Sequence, residues 1–327
     1  MQRNRNTLLT LSTLSAVCLA TFVAASQRVR AADGTDVSRL WLHSNLFVWC
    51  IVPFDAKKRG LEARAQMLDH LGIRRSAYDW REENIPTFDA EIEALQRYRI
   101  ELLAWWLPLD ANDPLARSTL ELFKRHGVHP HLWVVRSSMG IRSSDQVTTD
   151  GWPKSPAEQE QRVKKEADRI SEVVKLAEPY GCEVDLYKHN GWFGLEVNLL
   201  AIIAQLKKMS ITNVGMINNF SHSRDKYHGD TMDFPPLCEE IKFHVVAVTI
   251  TGTAMNGVLI YSGRGDRELE MMKTIEDSGW RGPVGLIGEK GGDAEVTLQN
   301  YLEGLNWLAT EIRRQGAGGP APFLPAY

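Results

Sequence analysis

The side chains best suited to chemistry in this sequence fall in short polar clusters, each placed directly after a β-rich apolar run. Lys188-His189-Asn190-Gly191-Trp192 follows one such run, Asn218-Asn219-Phe220-Ser221-His222 a second, and Glu289-Lys290 a third. Asp79-Trp80-Arg81, Trp105-Trp106 with Asp110, Arg136, and Thr249 with Thr251 close four more. Lys, His and Glu move protons when their pKa lies near the working pH, while Asn, Thr, Asp and Arg bind hydroxyls. Trp80, Trp106 and Trp192 add indole faces of the kind that pack on the C–H face of a pyranose. These types together describe a carbohydrate site. Lys188, His189, His222 and Glu289 are its catalytic candidates. Asp79, Trp80, Arg81, Trp106, Arg136, Trp192, Asn219 and Thr249 are its substrate-binding candidates. His189, His222 and Glu289 also form a reasonable ligand set for a divalent Mn, Zn or Mg ion. The alternative is that the histidines bind sugar hydroxyls directly and no metal takes part. No Gly-x-Ser-x-Gly elbow occurs, and no Ser/His/Asp triad can be assembled.

The elements that must position these clusters alternate strand and helix eight times. Strands are expected at 46–51, 73–78, 101–107, 128–135, 182–188, 213–218, 243–250 and 284–288. Amphipathic helices follow at 60–71, 87–98, 112–126, 156–180, 194–209, around Leu237, at 266–278 and at 294–313. Thr87 is placed to cap the second helix, and Gly127 to end the third. A Ser/Gly/Thr/Pro-rich loop, 136–155, interrupts the rhythm after strand four. Eight units in one run predict a single (β/α)8 TIM barrel of the α/β class, with its chemistry at the carboxyl ends of the strands. An open doubly wound sheet would show a Gly-rich phosphate loop after strand one, and that position reads Cys50-Ile51-Val52-Pro53-Phe54 instead. In the barrel reading, Trp41, Trp49, Trp133 and Trp307 are core or surface filler, and His131 fills the barrel.

The chain has 327 residues, with 38 Lys+Arg against 41 Asp+Glu and a net charge of −3. That balance excludes a general nucleic-acid binder, which shows a basic excess. The first thirty residues change the arithmetic. Arg3 and Arg5 precede an apolar run from Leu8 to Ala25, and Val29-Arg30-Ala31 offers small-residue cleavage positions. Residues 1–31 read as a cleavable signal peptide, with 32–45 an extension, 46–313 the barrel and 314–327 a loosely held tail. The leader carries four arginines and no acid, so the mature body keeps 34 bases against 41 acids, a net of −7. It also keeps three cysteines, an odd number that gives no complete disulfide framework. No stretch after the leader is apolar enough for stable membrane insertion. The expected setting is periplasmic or extracellular, and the expected partner is a small-molecule sugar or glycoside.

At several of these residues the chain resembles the xylose isomerase-like barrel superfamily, the sugar phosphate isomerase/epimerase group that also includes an endonuclease. The resemblance rests on Leu71-Gly72-Ile73 before strand two and on Tyr187-Lys188-His189 ending strand five. It rests also on Asn219-Phe220-Ser221-His222 after strand six. Last come Gly263-Arg264-Gly265-Asp266 and Ser278-Gly279-Trp280-Arg281-Gly282-Pro283 leading into strand eight. It implies a metal set of a Glu ending strand five, an Asp and a His around strand six, and a Glu ending strand eight. Carried over residue by residue, Tyr187 stands where the first Glu is usual and Asn219 where the Asp is usual. His222 matches, and Glu289 falls near the last position. Two missing carboxylates remove most of the negative charge that a hard divalent cation needs.

The resemblance implies proton movement next to a carbonyl, by isomerisation or epimerisation. Such chemistry needs a base with a pKa near neutral and a donor for the developing oxyanion. Lys188 serves as base if burial lowers its pKa, with Glu289 and His189 as alternatives, and His222 and Asn219 are the candidate oxyanion donors. A Lys188 that pairs with a nearby acid is the competing expectation. Elimination or hydrolysis of a keto glycoside, or sugar binding without catalysis, would use the same groups.

Overall fold

The computed structural model describes residues 39–136, 152–189, 191–220, 234–253, 259–288, 292–314 and 319–322. The leader, His222 and Glu289 lie outside the described residues. Eight parallel strands close into a barrel: β1 (Leu46–Trp49), β2 (Arg75–Tyr78), β3 (Glu101–Trp106), β4 (His131–Val134), β5 (Val184–Tyr187), β6 (Val214–Asn219), β7 (Val245–Ile250) and β10 (Val284–Ile287). Each strand pairs with its sequence neighbour, and β1 closes the ring on β10 with Phe47 opposite Gly285 and Trp49 opposite Ile287. The helices are α1 (Leu61–His70), α2 (Phe88–Arg97), α3 (Pro114–His126), α4 (Pro156–Ala177), α5 (Glu196–Lys208), α6 (Phe234–Ile241), α7 (Glu268–Asp277) and α8 (Ala294–Arg314). The chain is therefore the (β/α)8 barrel that its alternation predicts.

Element ends have local causes. Gly127 takes a left-handed conformation (φ 63°) and terminates α3, as expected of a residue without a Cβ. Pro130 has no N–H to give a neighbour, so β4 begins at His131 rather than at 128. Asp113 caps α3 by accepting from Leu115 N at 2.8 Å, and Ser155 caps α4 by accepting from Glu158 N at 3.2 Å. Thr87 occupies the N-cap position of α2, but its hydroxyl donates to Asn84 O at 2.8 Å. A 3-10 segment, Glu82–Thr87, runs into that helix and takes the hydroxyl backwards. A short antiparallel pair, β8 (Gly252–Thr253) with β9 (Leu259–Ile260), follows β7 and was not foreseen from the sequence.

Two aromatic layers build the core. Outside the barrel wall, Tyr78, Trp80, Phe88, Trp105 and Phe123 pack edge-to-face or tilted, with centroids 4.7–6.1 Å apart. Inside the wall, Phe47 meets Trp133 at 5.8 Å. Gly285 makes room for the Phe47 ring, because a Cβ there would lie 2.4 Å from its Cζ. Among the described residues no helix is long and apolar enough to cross a membrane.

Candidate active site

Strand alternation decides which residues reach the barrel interior. Trp105 packs outward with Phe88 and Phe123, so its neighbour Trp106 points inward. The uppermost inner layer takes one residue from each alternate strand: Trp49 from β1, Trp106 from β3, Tyr187 from β5 and Thr249 from β7. Trp49 stacks on Trp106 with centroids 6.1 Å apart and planes 24° apart. Tyr187 sits edge-on to both, at 5.7 and 5.3 Å. Trp133 lies against Trp106 at 4.7 Å and stacks on Tyr187 at 5.5 Å. Trp49 and Trp133 are thus core, as expected, but core that forms the aromatic floor of the mouth. Tyr187 did not figure among the expected site residues. Its signal was the alternation of Val184–Tyr187, which puts Asp185 and Tyr187 on one face.

Polar atoms interrupt this floor. Asn219, fully buried at the end of β6 and in register with Thr249, donates from Nδ2 to the Tyr187 hydroxyl at 3.0 Å. Thr249 Oγ1, Trp49 Nε1 and Asp79 Oδ2 are buried without a hydrogen-bond partner among the described residues. Each such atom costs on the order of 1–3 kcal/mol unless a ligand or water satisfies it.

Asp79 is the most consequential of the three. It follows β2 between two outward-facing rings, Tyr78 and Trp80, and so lies on the inner alternation. It is 3% exposed, and burial pushes its carboxyl up to about 7, against the opposing pull of Arg81, Arg64 and the backbone amides of Asp79 and Val52. A carboxyl that titrates near neutrality in a barrel mouth suits proton transfer. Asp79 was expected to bind substrate; its chemistry is that of an acid/base group.

The remaining predicted residues divide. His189 stays beside the floor, its ring 6.3 Å from that of Tyr187 and tilted 33°. Lys188 is not at the mouth. It is 2% exposed and ion-paired with Glu196 at the start of α5, because the residue after inward-facing Tyr187 must point out of the barrel. Trp80 is fully buried outside the wall, where Nε1 donates to Trp106 O at 2.9 Å, and so offers no sugar a face. Trp192 is also buried. The Arg162 guanidinium covers its ring at 4.5 Å, and its Nε1 donates to Gln159 at 2.7 Å. Arg136 turns to α4, where it shares buried Glu166 with Arg169 at 3.7 and 3.5 Å. Arg81 folds back, donating to the carbonyls of Asp79 and Trp80 at 2.8 and 2.9 Å, and acts on the site through Asp79.

Of the expected metal set, His189, His222 and Glu289, the described residues include only His189. Among the described residues no three His, Cys, Asp or Glu side chains gather so that they could hold a metal ion. Tyr187 and Asn219 stand at the ends of β5 and β6 and are neutral, and they bond each other. A hard dication prefers carboxylates there.

No family model matches the sequence, and no curated protein matches it. Solved structures do match. An L-ribulose 3-epimerase superposes with a TM-score of 0.59 at 11% identity, over 86% of this chain and 99% of that one. The IOLI protein with a bound zinc atom gives 0.57 at 15% identity, over 81% and 98%. A xylose isomerase domain protein from Alicyclobacillus acidocaldarius gives 0.56 at 20% identity, over 82% and 99%. The chain shares with these structures the (β/α)8 barrel fold.

Proposed function

We propose that the chain is an exported carbohydrate-active enzyme that moves a proton next to the carbonyl of a sugar or sugar derivative. Asp79 is its acid/base group. The observation that carries this reading is Asp79 itself: buried on the inner face, with one oxygen unpartnered among the described residues and a pKa of about 7. Asp79 takes the proton from the carbon beside the carbonyl, the C–H electrons become the enolate double bond, and the carbonyl oxygen takes the charge. Returning the proton to the same carbon from the other face epimerises; returning it to the former carbonyl carbon, while the hydroxyl proton on the first carbon passes to the former carbonyl oxygen, isomerises. Trp49 and Trp106 provide the apolar floor for the sugar ring. The likeness to a sugar epimerase and to a xylose isomerase domain protein supports the substrate class.

Incubation in D2O tests the reaction. L-ribulose and a panel of ketoses and 3-keto sugars are followed by NMR for deuterium next to the carbonyl. Wash-in that Asp79→Asn abolishes is the expected result. Saturable sugar binding without wash-in would make the barrel a binding module. Loss of a glycosidic leaving group alongside wash-in would identify elimination. Chelation tests the cofactor: turnover that a chelator removes and Mn2+ restores would make the enzyme metal-dependent, and turnover that survives chelation would make it metal-free. Export is supported by the leader pattern of residues 1–31 and the −7 body. N-terminal sequencing of the secreted protein is expected to begin near residue 32.

A further inference from the structure

Around the carboxyl ends of the strands, Arg59, Arg64 and Arg136 are each matched by acids. Arg59 reaches Asp55, Asp293 and Glu295, Arg64 reaches Glu91, and Arg136 reaches Glu166. Arg81 is different. Among the described residues its guanidinium meets no carboxylate, and its partners are the carbonyls of Asp79 and Trp80, both bonded to Nη1. A guanidinium also donates from Nε and Nη2, and for Arg81 neither finds an acceptor among the described residues. The Nε–Nη2 edge is one that takes a planar carboxylate through two parallel bonds. The backbone fixes where this edge lies. Arg81 is extended (φ −123°, ψ 168°), and its amide donates to Asn84 Oδ1 at 2.7 Å. Its side chain therefore leaves on the same inner face as Asp79, two residues back. The guanidinium is near enough to draw on the Asp79 carboxyl, yet no salt bridge joins the two among the described residues.

We propose that the Nε–Nη2 edge of Arg81 is a subsite for a single carboxylate, and that the substrate of this barrel is a sugar acid. The two carbonyl bonds at Nη1 hold the guanidinium plane, so the edge is set before a ligand arrives. The chain carries a net charge of −3 and does not draw anions in general. Selection of an anion falls to this local cation. The proposal deepens the reading of Asp79 as the base and rests on it: the carboxylate end is held at Arg81, and the carbon that gives up its proton lies at Asp79. An anion paired to Arg81 also cancels part of the guanidinium's pull on Asp79, so the base is strengthened as the ligand is seated. The other cation that acts on Asp79 is Arg64 of α1, which is already paired to Glu91 of α2.

Matched pairs of sugars test the subsite by calorimetry. D-glucuronate and D-galacturonate are compared with D-glucose and D-galactose, which differ from them only in lacking the carboxylate. The wild type is expected to bind the uronates about tenfold or more tightly than their neutral partners. Arg81→Gln is expected to erase that difference while keeping the thermal midpoint. Arg81→Lys keeps the charge but not the planar edge, and is expected to retain only part of it. Titrations near pH 7 in two buffers of different ionisation enthalpy are expected to show proton uptake when a uronate binds the wild type. Asp79→Asn is expected to bind the uronate without uptake. Uronates bound no more tightly than the neutral sugars, or a preference that Arg81→Gln leaves intact, would overturn the subsite. D-glucose 6-phosphate bound through Arg81 more tightly than D-glucuronate would overturn the carboxylate. Exchange in D2O that survives Asp79→Asn, with the Arg81-dependent preference intact, would overturn the base and leave the subsite standing.

Discussion

Two buried aspartates, Asp55 in the loop after β1 and Asp79 at the end of β2, show how differently the barrel mouth treats the same side chain. Both are at most 6% exposed. Burial opposes the charge of Asp55, yet the amides of Ala294, Arg59 and Lys57 and the Arg59 guanidinium hold its carboxyl below the ordinary range. Arg59 reaches it at 2.8 and 3.0 Å, and at 2.6 Å also grips Asp293 just ahead of α8. Asp79 has Arg81, Arg64 and two amides, and burial still prevails. One carboxylate is fully engaged in fastening the first loop to the last helix. The other keeps one buried oxygen without a hydrogen-bond partner among the described residues. Burial alone therefore does not mark a chemical group; incomplete pairing inside a cleft does.

The sharpest break in that comparison is Asp79→Asn. Proton exchange is expected to fall by about 10³, while the protein becomes more stable above neutrality. A carboxyl whose folded pKa is about 7 against an ordinary 3.8 binds its proton more tightly when folded. Stability therefore falls as pH rises from about 4 to 7, and a shift of that size corresponds to roughly 4 kcal/mol. Urea unfolding at pH 5 and pH 8 is expected to show a smaller pH slope for Asp79→Asn. In the wild type, exchange is expected to rise with pH through about 7, as a base requires. A flat profile would remove Asp79 from the chemistry.

Asp55→Ala probes the other side. It strands Arg59 and leaves the first amide of α8 without its acceptor, Ala294 N having donated to Asp55 at 3.1 Å. A loss of about 3 kcal/mol is expected in urea unfolding, with exchange per folded molecule unchanged. A collapse of turnover at intact stability would mean that the loop after β1 belongs to the reaction.

The strand–helix alternation made the fold legible, because period-2 and period-3.6 patterns report burial directly. The site was legible only to the level of the strand ends. Whether a residue there points in or out depends on where pairing stops, and one step of register sends Lys188 to Glu196 and Tyr187 to the interior. Trp80 shows the same limit: its type suggested a sugar platform, and its parity makes it wall packing. Trp80→Ala is accordingly expected to cost about 3 kcal/mol or more of stability, with KM for the sugar unchanged in the folded fraction.

The smallest expected effect lies at the opposite end of the barrel and adds a third carboxylate to the comparison. His131 Nδ1 lies 2.8 Å from Asp185 Oδ2, with His131 partly exposed and Asp185 buried. The bond to Asp185 raises the imidazole above its usual value, and burial works against it. A histidine whose pKa is raised on folding contributes fully below its unfolded value near 6.5, and the contribution is lost as pH rises through the folded value. Asp79 costs stability between about pH 4 and 7, whereas His131 does so above 6.5, so the two windows adjoin. In a thermal series from pH 5 to 9, Asp79→Asn is expected to flatten the acid half and His131→Asn the alkaline half. If His131→Asn left the alkaline slope unchanged, the Asp185 pair would carry no net proton linkage. Asp185 would then be held by packing against β6, where the absent side chain of Gly215 leaves it room.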